Sequence, residues 1–161
     1  MRRIDAPARL HHRGPVRGHL GRDVKGVLFT VQKALPLLAD GSSVILTSST
    51  TSIKGTPAFS VYTASKAAVR NFVRSWILDV RGRGIRINAL SPGAILTPGL
   101  TDLTDTDEAG QAMLDAFAGQ TPLWRIGDPD EIRKAAVFLA SDDASFVNCL
   151  ELFVDGGMAQ V

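Results

Sequence analysis

The 161-residue sequence has little of what would mark a secreted, metal-binding or membrane-spanning protein. Its single cysteine, Cys149, excludes an internal disulfide and a cysteine-based zinc site. No apolar run approaches the roughly 20 residues that a transmembrane helix needs, and no apolar segment follows the arginine-rich N-terminus as it would in a signal peptide. We therefore expect one globular, cytoplasmic domain without a metal and without a membrane partner.

The net charge of +2 comes from the first 22 residues. They carry six arginines against one acid, whereas the rest of the chain carries 12 basic and 15 acidic side chains. This opening segment is rich in Arg, Gly, Pro and His, with neither helical nor strand periodicity. A nucleic-acid-binding arm or a metal site at His11, His12 and His19 would also suit this composition, but no Cys or carboxylate is in register with the histidines. We expect residues 1–22 to be a disordered tail, with no nucleic-acid partner.

From Asp23 onward the sequence is periodic, and helices alternate with short apolar strands. Ser60 is the expected N-cap of the second helix, and Asp128 with Glu131 forms a capping box at the last. The alternation predicts an α/β fold with a doubly wound parallel sheet, of which three strands can be counted. Helices are predicted over residues 23–39, 61–80, 105–118 and 129–140, and strands over residues 43–47, 85–90 and 150–154.

Tyr62 and Lys66 form the residue pair that is most clearly suited to catalysis. They stand four positions apart on a predicted helix, so both side chains lie on one face. A neighbouring ammonium favours the tyrosinate, so we expect the phenol pKa to lie below its usual value of about 10. Such a tyrosine can pass a proton to or from an alcohol oxygen, and Ser49, just beyond a strand, can hydrogen-bond to the same oxygen. By itself, a tyrosine and a lysine one turn apart are usually part of an exposed helix face.

Several further motifs accompany this pair in a fixed order. They are VKGVLFTVQKALPLL (24–38), VILTSS (44–49), YTASKAAV (62–69), GIRINALSPGAILTP (84–98), IGDPDEI (126–132) and FLASDDASFVNCLELFVDGG (138–157). Over about residues 23–157 the chain resembles the C-terminal catalytic half of the short-chain dehydrogenase/reductase family. The resemblance implies a Rossmann-like fold and an NAD- or NADP-dependent oxidoreductase that acts on a small alcohol or ketone.

The same resemblance implies roles for individual residues. Tyr62 would be the catalytic acid–base, Lys66 would lower its pKa and bind the nicotinamide ribose, and Ser49 would polarise the substrate oxygen. Loop 98–120 would cover the substrate, and helices 23–39 and 61–80 would form a homo-oligomer in a full-length protein. The residues expected to contact the cofactor are Tyr62, Lys66, Pro92, Gly93, Ile95 and Thr97.

Three departures from the family pattern bear on function. Asp23 stands where the family usually has the Asn that ends its proton relay, and an ionised carboxylate only accepts hydrogen bonds. Cys149 stands where the family commonly has Gly; it is either a tolerated surface substitution or a strained residue, if the turn needs a positive φ. The glycine-rich turn that receives the pyrophosphate has no counterpart in this sequence. Two hypotheses follow: an oxidoreductase, or a truncated and inactive fragment that at most associates with intact relatives.

Overall fold

The computed structural model describes residues 16–102 and 107–161, with side chains from Gly18 onward. The first described residues form a continuous helical segment. This segment consists of α1 (Val16–His19), a π-helical stretch (Leu20–Gly26), α2 (Val27–Ala34) and a 3-10 turn (Leu35–Leu37). Apolar residues spaced along its second half, including Val27, Val31 and Leu35, pack against the core.

The prediction of disorder over residues 1–22 is wrong for residues 16–22, which are helical. The boundary that we expected after Arg22 falls inside the π-helical stretch. Tertiary contact explains the difference: the ring of His19 packs against Tyr62, and its Nδ1 lies 3.1 Å from a carboxylate oxygen of Asp23. Residues 1–15, including His11 and His12, lie outside the described residues.

Three parallel strands form one sheet in the order β1 (Ser43–Thr47), β2 (Arg86–Pro92) and β3 (Glu151–Val154). The predicted α/β architecture with three parallel strands is confirmed, although β2 ends two residues later than expected and β3 begins one residue later. The central strand β2 is buried along almost its whole length, as expected for a parallel strand covered on both faces. The carboxyl ends of all three strands therefore point to the same edge of the sheet.

The longest helix, α3 (Ser60–Asp79), packs on β1 and β2 and supplies much of the core. Its Val69 and Val73 are buried together with Leu46 of β1 and Ile87 of β2. The predicted N-cap at Ser60 is wrong, because Ser60 is already helical and Phe59 occupies the cap position without a side-chain hydrogen bond. The Ser60 carbonyl instead accepts a hydrogen bond of 2.9 Å from the Thr63 hydroxyl.

The C-terminal third contributes α4 (Pro98–Thr101), α5 (Asp107–Gln120) and α6 (Pro129–Ala140). The Asp128 cap of α6 is confirmed: its carboxylate accepts from the Asp130 N–H at 2.7 Å, and the Glu131 carboxylate accepts from the Asp128 N–H at 2.8 Å. A paired Arg125 guanidinium holds the pKa of Glu131 at about 2. The residue predicted to begin α5, Asp105, lies outside the described residues.

The turn before β3 holds Cys149 in the left-handed region, with a φ of 59°. Its N–H donates to the Ile87 carbonyl at 3.0 Å and to the Asn148 side chain at 3.1 Å. The buried Asn88 side chain also accepts from the N–H of Leu150 at 2.9 Å. These bonds hold the backbone in a conformation that glycine adopts at no steric cost, so cysteine is strained here.

We expect Cys149→Gly to raise the free energy of unfolding by roughly 0.5–1 kcal/mol. The left-handed conformation costs a residue with a Cβ about 1–2 kcal/mol, which exceeds the entropy that glycine adds to the unfolded chain. Urea unfolding followed by tryptophan fluorescence would measure the change. Cys149→Ser is the matched control, because it keeps the Cβ and should bring no such gain. A Gly variant no more stable than the Ser variant would contradict the strain argument.

Candidate active site

Two serines follow β1, and a Pro-Gly pair ends β2, at the edge where both strands end. Ser48 and Ser49 come directly after β1, and Pro92 and Gly93 lie at the end of β2. The Ser48 N–H donates to the Leu90 carbonyl at 2.8 Å, which continues the pairing of the two strands. Open α/β sheets bind their ligands at the carboxyl ends of their strands, so this edge is the candidate site.

The first turns of α3 bring Tyr62 and Lys66 to this edge. The Lys66 ammonium donates to the carbonyl of Thr47, the last residue of β1, at 3.3 Å. The Ser48 hydroxyl donates to the Lys66 carbonyl at 3.1 Å, which ties the helix to the strand end. Lys66 Nζ lies 5.5 Å from the centroid of the Tyr62 ring, so the two side chains share one face of α3.

The surroundings of Tyr62 raise its pKa above the usual 10.0. Burial of the phenol is the main cause, a hydrogen bond with the Ser49 hydroxyl opposes it, and the nearby Asp23 carboxylate adds to it. Our expectation that this pKa would be lowered is therefore wrong in direction, because desolvation of the tyrosinate, together with the Asp23 charge, outweighs the hydrogen bond with Ser49. Burial also lowers the pKa of Lys66, although Asp23 partly offsets this effect.

Ser49 is oriented by the 3-10 turn that follows it (Thr50–Ser52). Its buried hydroxyl oxygen accepts hydrogen bonds from the Thr51 N–H at 3.2 Å and from the Thr51 hydroxyl at 3.1 Å. Because both bonds bring a hydrogen to the Ser49 oxygen, the proton of Ser49 itself can be donated to another acceptor. The Tyr62 phenol is one such acceptor, since a hydrogen bond with Ser49 lowers its pKa.

Asp23 reaches the same place from the π-helical stretch, accompanied by His19. The His19 ring lies edge-on to Tyr62, with the two ring centroids 5.6 Å apart and the planes at 71°. Sequence reasoning missed His19 because it was assigned to the tail. Its spacing of four residues from Asp23, which places both on one helix face, was the available signal.

The segment expected to bind nicotinamide continues from the end of β2. The Gly93 N–H donates to the Val154 carbonyl at 3.1 Å, and a Cβ at Gly93 would lie 2.8 Å from Asp155, so this close approach needs glycine. Ile95 pairs with Gly127, and Thr97 immediately precedes α4. Pro92 and Gly93 thus adjoin the Ser49 edge, whereas Ile95 and Thr97 lie toward α4 and α6.

An open groove of about 580 Å³ lies beside this segment. Its walls include Ile95 and Gly127 on one side and Phe153 of β3 on the other. Tyr62 and Lys66 do not line it. The groove is therefore separate from the cluster that Ser49, Tyr62, Lys66 and Asp23 form.

Glu151 is a second residue that sequence reasoning missed. Its carboxylate accepts from the Ser52 hydroxyl at 2.5 Å and from the Ser91 hydroxyl at 2.8 Å, and Arg70 Nε lies 3.8 Å away. Glu151 thereby joins the turn after β1 to the end of β2. A glutamate inside the apolar strand ELFV was the sequence signal for this role.

Ser49→Ala is expected to raise the pKa of Tyr62 further, because the hydroxyl that stabilises the tyrosinate is lost. Tyr62 is the only tyrosine in the sequence, so phenolate absorbance during an alkaline titration reports on this residue alone. Ser48→Ala is the neighbouring control, since that hydroxyl donates to the Lys66 backbone instead. An unchanged titration in Ser49→Ala would remove Ser49 from the surroundings of the phenol.

The described residues contain neither a candidate metal site nor a candidate membrane-spanning helix. Across residues 16–102 and 107–161, no group of three His, Cys, Asp or Glu side chains is placed to hold a metal ion. None of the helices in these ranges combines the length and apolar content needed to cross a bilayer.

Comparison with known proteins gives consistent results. A family model described as enoyl-(acyl carrier protein) reductase matches residues 16–159. The oxidoreductase asL5 of Sarocladium schorii is 48% identical over 143 residues, which are 88% of this chain and 55% of that protein. The 3-oxoacyl-[acyl-carrier-protein] reductase FabG of Thermotoga maritima is 33% identical over 84% of this chain and 54% of its own length. The chain thus spans about half the length of the curated relatives it matches.

Solved structures share the fold. The structure of a gluconate 5-dehydrogenase from Burkholderia cenocepacia, in complex with NADP and tartrate, superposes with a TM-score of 0.82 at 31% identity. The match covers 98% of this chain and 63% of that one. A short chain dehydrogenase family protein from Francisella tularensis gives a TM-score of 0.84 at 24% identity, over 91% of this chain and 62% of that one.

Proposed function

The chain belongs to the short-chain dehydrogenase/reductase family of oxidoreductases, and on that premise we propose that it carries the catalytic half of an NAD- or NADP-dependent site. In this site Tyr62 exchanges a proton with the oxygen of a small alcohol or ketone. One observation carries the proposal: Lys66 lies against the Tyr62 ring on α3 while its ammonium contacts the end of β1, directly before Ser49.

The protonation state of Tyr62 suits it to act as the proton donor in carbonyl reduction. Because its pKa is raised above 10.0, the phenol is protonated at neutral pH. Ser49 donates to the same carbonyl oxygen and stabilises the charge that develops there. As the proton leaves Tyr62, the Lys66 ammonium beside the ring stabilises the phenolate. In alcohol oxidation each transfer runs in reverse.

The residues at this edge fit the nicotinamide end of a dinucleotide. Lys66 has three N–H donors and directs one of them to the Thr47 carbonyl, so the ammonium can also bind hydroxyl groups such as those of a ribose. Pro92, Gly93, Ile95 and Thr97 are proposed to contact the nicotinamide side. When bound, the nicotinamide supplies or accepts the hydride.

The substrate and the partners are proposed on the same basis. Residues 98–120, which contain α4 and α5, would cover a small alcohol or ketone, and helices 23–39 and 61–80 would form the contacts of a homo-oligomer. Exposed apolar side chains on these helices, among them Phe29 and Leu78, support that assignment. Asp23 would take the position of the usual relay Asn, where its carboxylate accepts hydrogen bonds and cannot donate them.

A second candidate function is favoured by the fraction of the relatives' length that the chain covers, which is 55% for asL5. A polypeptide limited to these residues would be catalytically inactive, and its role would be association with intact relatives. Affinity capture with an intact relative distinguishes this candidate, because it predicts a mixed oligomer whose formation does not depend on Tyr62.

The proposed activity is tested by joining residues 16–161, which include His19, to the N-terminal half of the asL5 relative. Oxidation of NADH and NADPH would then be followed with a panel of small ketones. We expect a ketone-dependent loss of nicotinamide absorbance. A folded chimaera that binds cofactor and turns over none of the ketones or the matching alcohols would favour the second candidate.

A further inference from the structure

We propose that His19 is a positioning residue of this site: its imidazole holds the Asp23 carboxylate and packs against the Tyr62 ring. The pair thereby controls the charge that the Tyr62 hydroxyl experiences. The importance of the His19–Asp23 pair for catalysis rests on the proposed function. Its effect on Tyr62 can be measured without turnover.

The contacts of His19 define its place. His19 Nδ1 lies 3.1 Å from Asp23 Oδ2, and because an ionised carboxylate can only accept, the imidazole N–H donates. The same ring meets Tyr62 edge to face, an arrangement that aromatic rings favour. The two side chains are mostly buried, with 28% of His19 and 17% of Asp23 exposed. His19 therefore fixes both its carboxylate partner and the phenol ring.

The charge of Asp23 acts on both functional groups of α3. It raises the pKa of Tyr62 by opposing the tyrosinate, and it raises the pKa of Lys66 by favouring the ammonium. A donor on the carboxylate offsets part of its negative potential. Removal of the imidazole would therefore leave Tyr62 facing a stronger negative field.

The test follows the titration of Tyr62 in the intact 161-residue chain, by phenolate absorbance and by NMR of ring-labelled tyrosine. Asp23→Asn is expected to lower the Tyr62 midpoint by about one pH unit, the scale of a single nearby charge. His19→Leu is expected to raise it by a smaller amount, and His19→Gln, whose amide can still donate, should restore much of the difference. In the Asp23→Asn background, His19→Leu should have little further effect.

The matched control is Lys25→Gln, which removes a charge from the same π-helical stretch. Lys25 Nζ lies 5.8 Å from the centroid of the Phe29 ring, so this variant should leave the Tyr62 midpoint unchanged. Circular dichroism at each pH verifies that the variants are folded. If His19→Leu does not fold, His19→Phe is used; it keeps an aromatic ring against Tyr62 but cannot donate to Asp23, so the midpoint should still rise.

Two results would overturn the inference. One is a midpoint that His19→Leu, or His19→Phe in its place, leaves unchanged; the other is an equal effect of that variant with and without the Asp23 carboxylate. A different combination of results would refute the proposed oxidoreductase activity alone. A chimaera without turnover, together with a Tyr62 midpoint that depends on His19, would refute the activity and leave the positioning role intact.

Discussion

Replacing Tyr62 with Phe is expected to lower kcat by about 10²- to 10⁴-fold, the usual contribution of a positioned proton donor. Phenylalanine retains the ring that packs against His19 and Phe59, but it has no hydroxyl proton to transfer. Cofactor affinity should change little. Steady-state rates and cofactor titration in the chimaera with an N-terminal half would measure both quantities.

Two further variants make this result specific. Thr63→Val removes a hydroxyl one residue away that bonds only within α3, to the Ser60 carbonyl, and it should leave kcat unchanged. Lys66→Ala should lower kcat and also weaken cofactor binding, because the proposed role of the ammonium includes both the tyrosine and the ribose. A Tyr62→Phe enzyme with the parental rate would remove Tyr62 from the mechanism.

A polypeptide of these 161 residues alone is expected to bind NADH or NADPH without saturation at sub-millimolar concentration. Pyrophosphate binding in this fold depends on backbone N–H groups at a glycine-rich turn and on a helix N-terminus, and this sequence contains no such glycine-rich turn. The residues around Tyr62 and Lys66 would hold only the nicotinamide end. Each loss of about 1.4 kcal/mol of pyrophosphate contacts corresponds to roughly tenfold weaker binding.

Fluorescence titration of the chain and of the chimaera under the same conditions would measure this difference. The chimaera should saturate, and the isolated chain should not. Size-exclusion chromatography of the chain before titration identifies the monomer. Saturable binding by the monomer at an affinity equal to that of the chimaera would show that the residues described here suffice for the whole dinucleotide.

The sequence by itself determined the features that depend on short stretches of chain. Strand β1 occupies the residues predicted for it, because a β-branched apolar run bounded by turn residues suits a buried parallel strand. Helix α6 begins at Pro129, directly after the Asp128 cap, as predicted, because the capping box satisfies backbone N–H groups within one turn. The helical period alone placed Tyr62 and Lys66 on one face.

Features that depend on distant segments were decided only by the tertiary structure. Residues 16–22 show no periodicity, yet their helix forms where His19 meets Tyr62, 43 positions further along the chain. The φ of Cys149 became evident only with the hydrogen bonds that link its turn to β2. Glu151 acquires its serine partners because three elements converge at the ends of β1 and β2.

The pKa of Tyr62 shows most directly how the sequence prediction differs from what the tertiary structure decides. The sequence places Lys66 one turn away and so predicts a lower pKa, because sequence spacing reveals the neighbouring charge on the same helix. The structure adds burial and the Asp23 carboxylate, and together they raise the pKa. Desolvation depends on every element that covers a side chain, so no local pattern can reveal it. The sequence determined that Tyr62 and Lys66 share one helix face, and the packing around them decided the direction in which their pKa values shift.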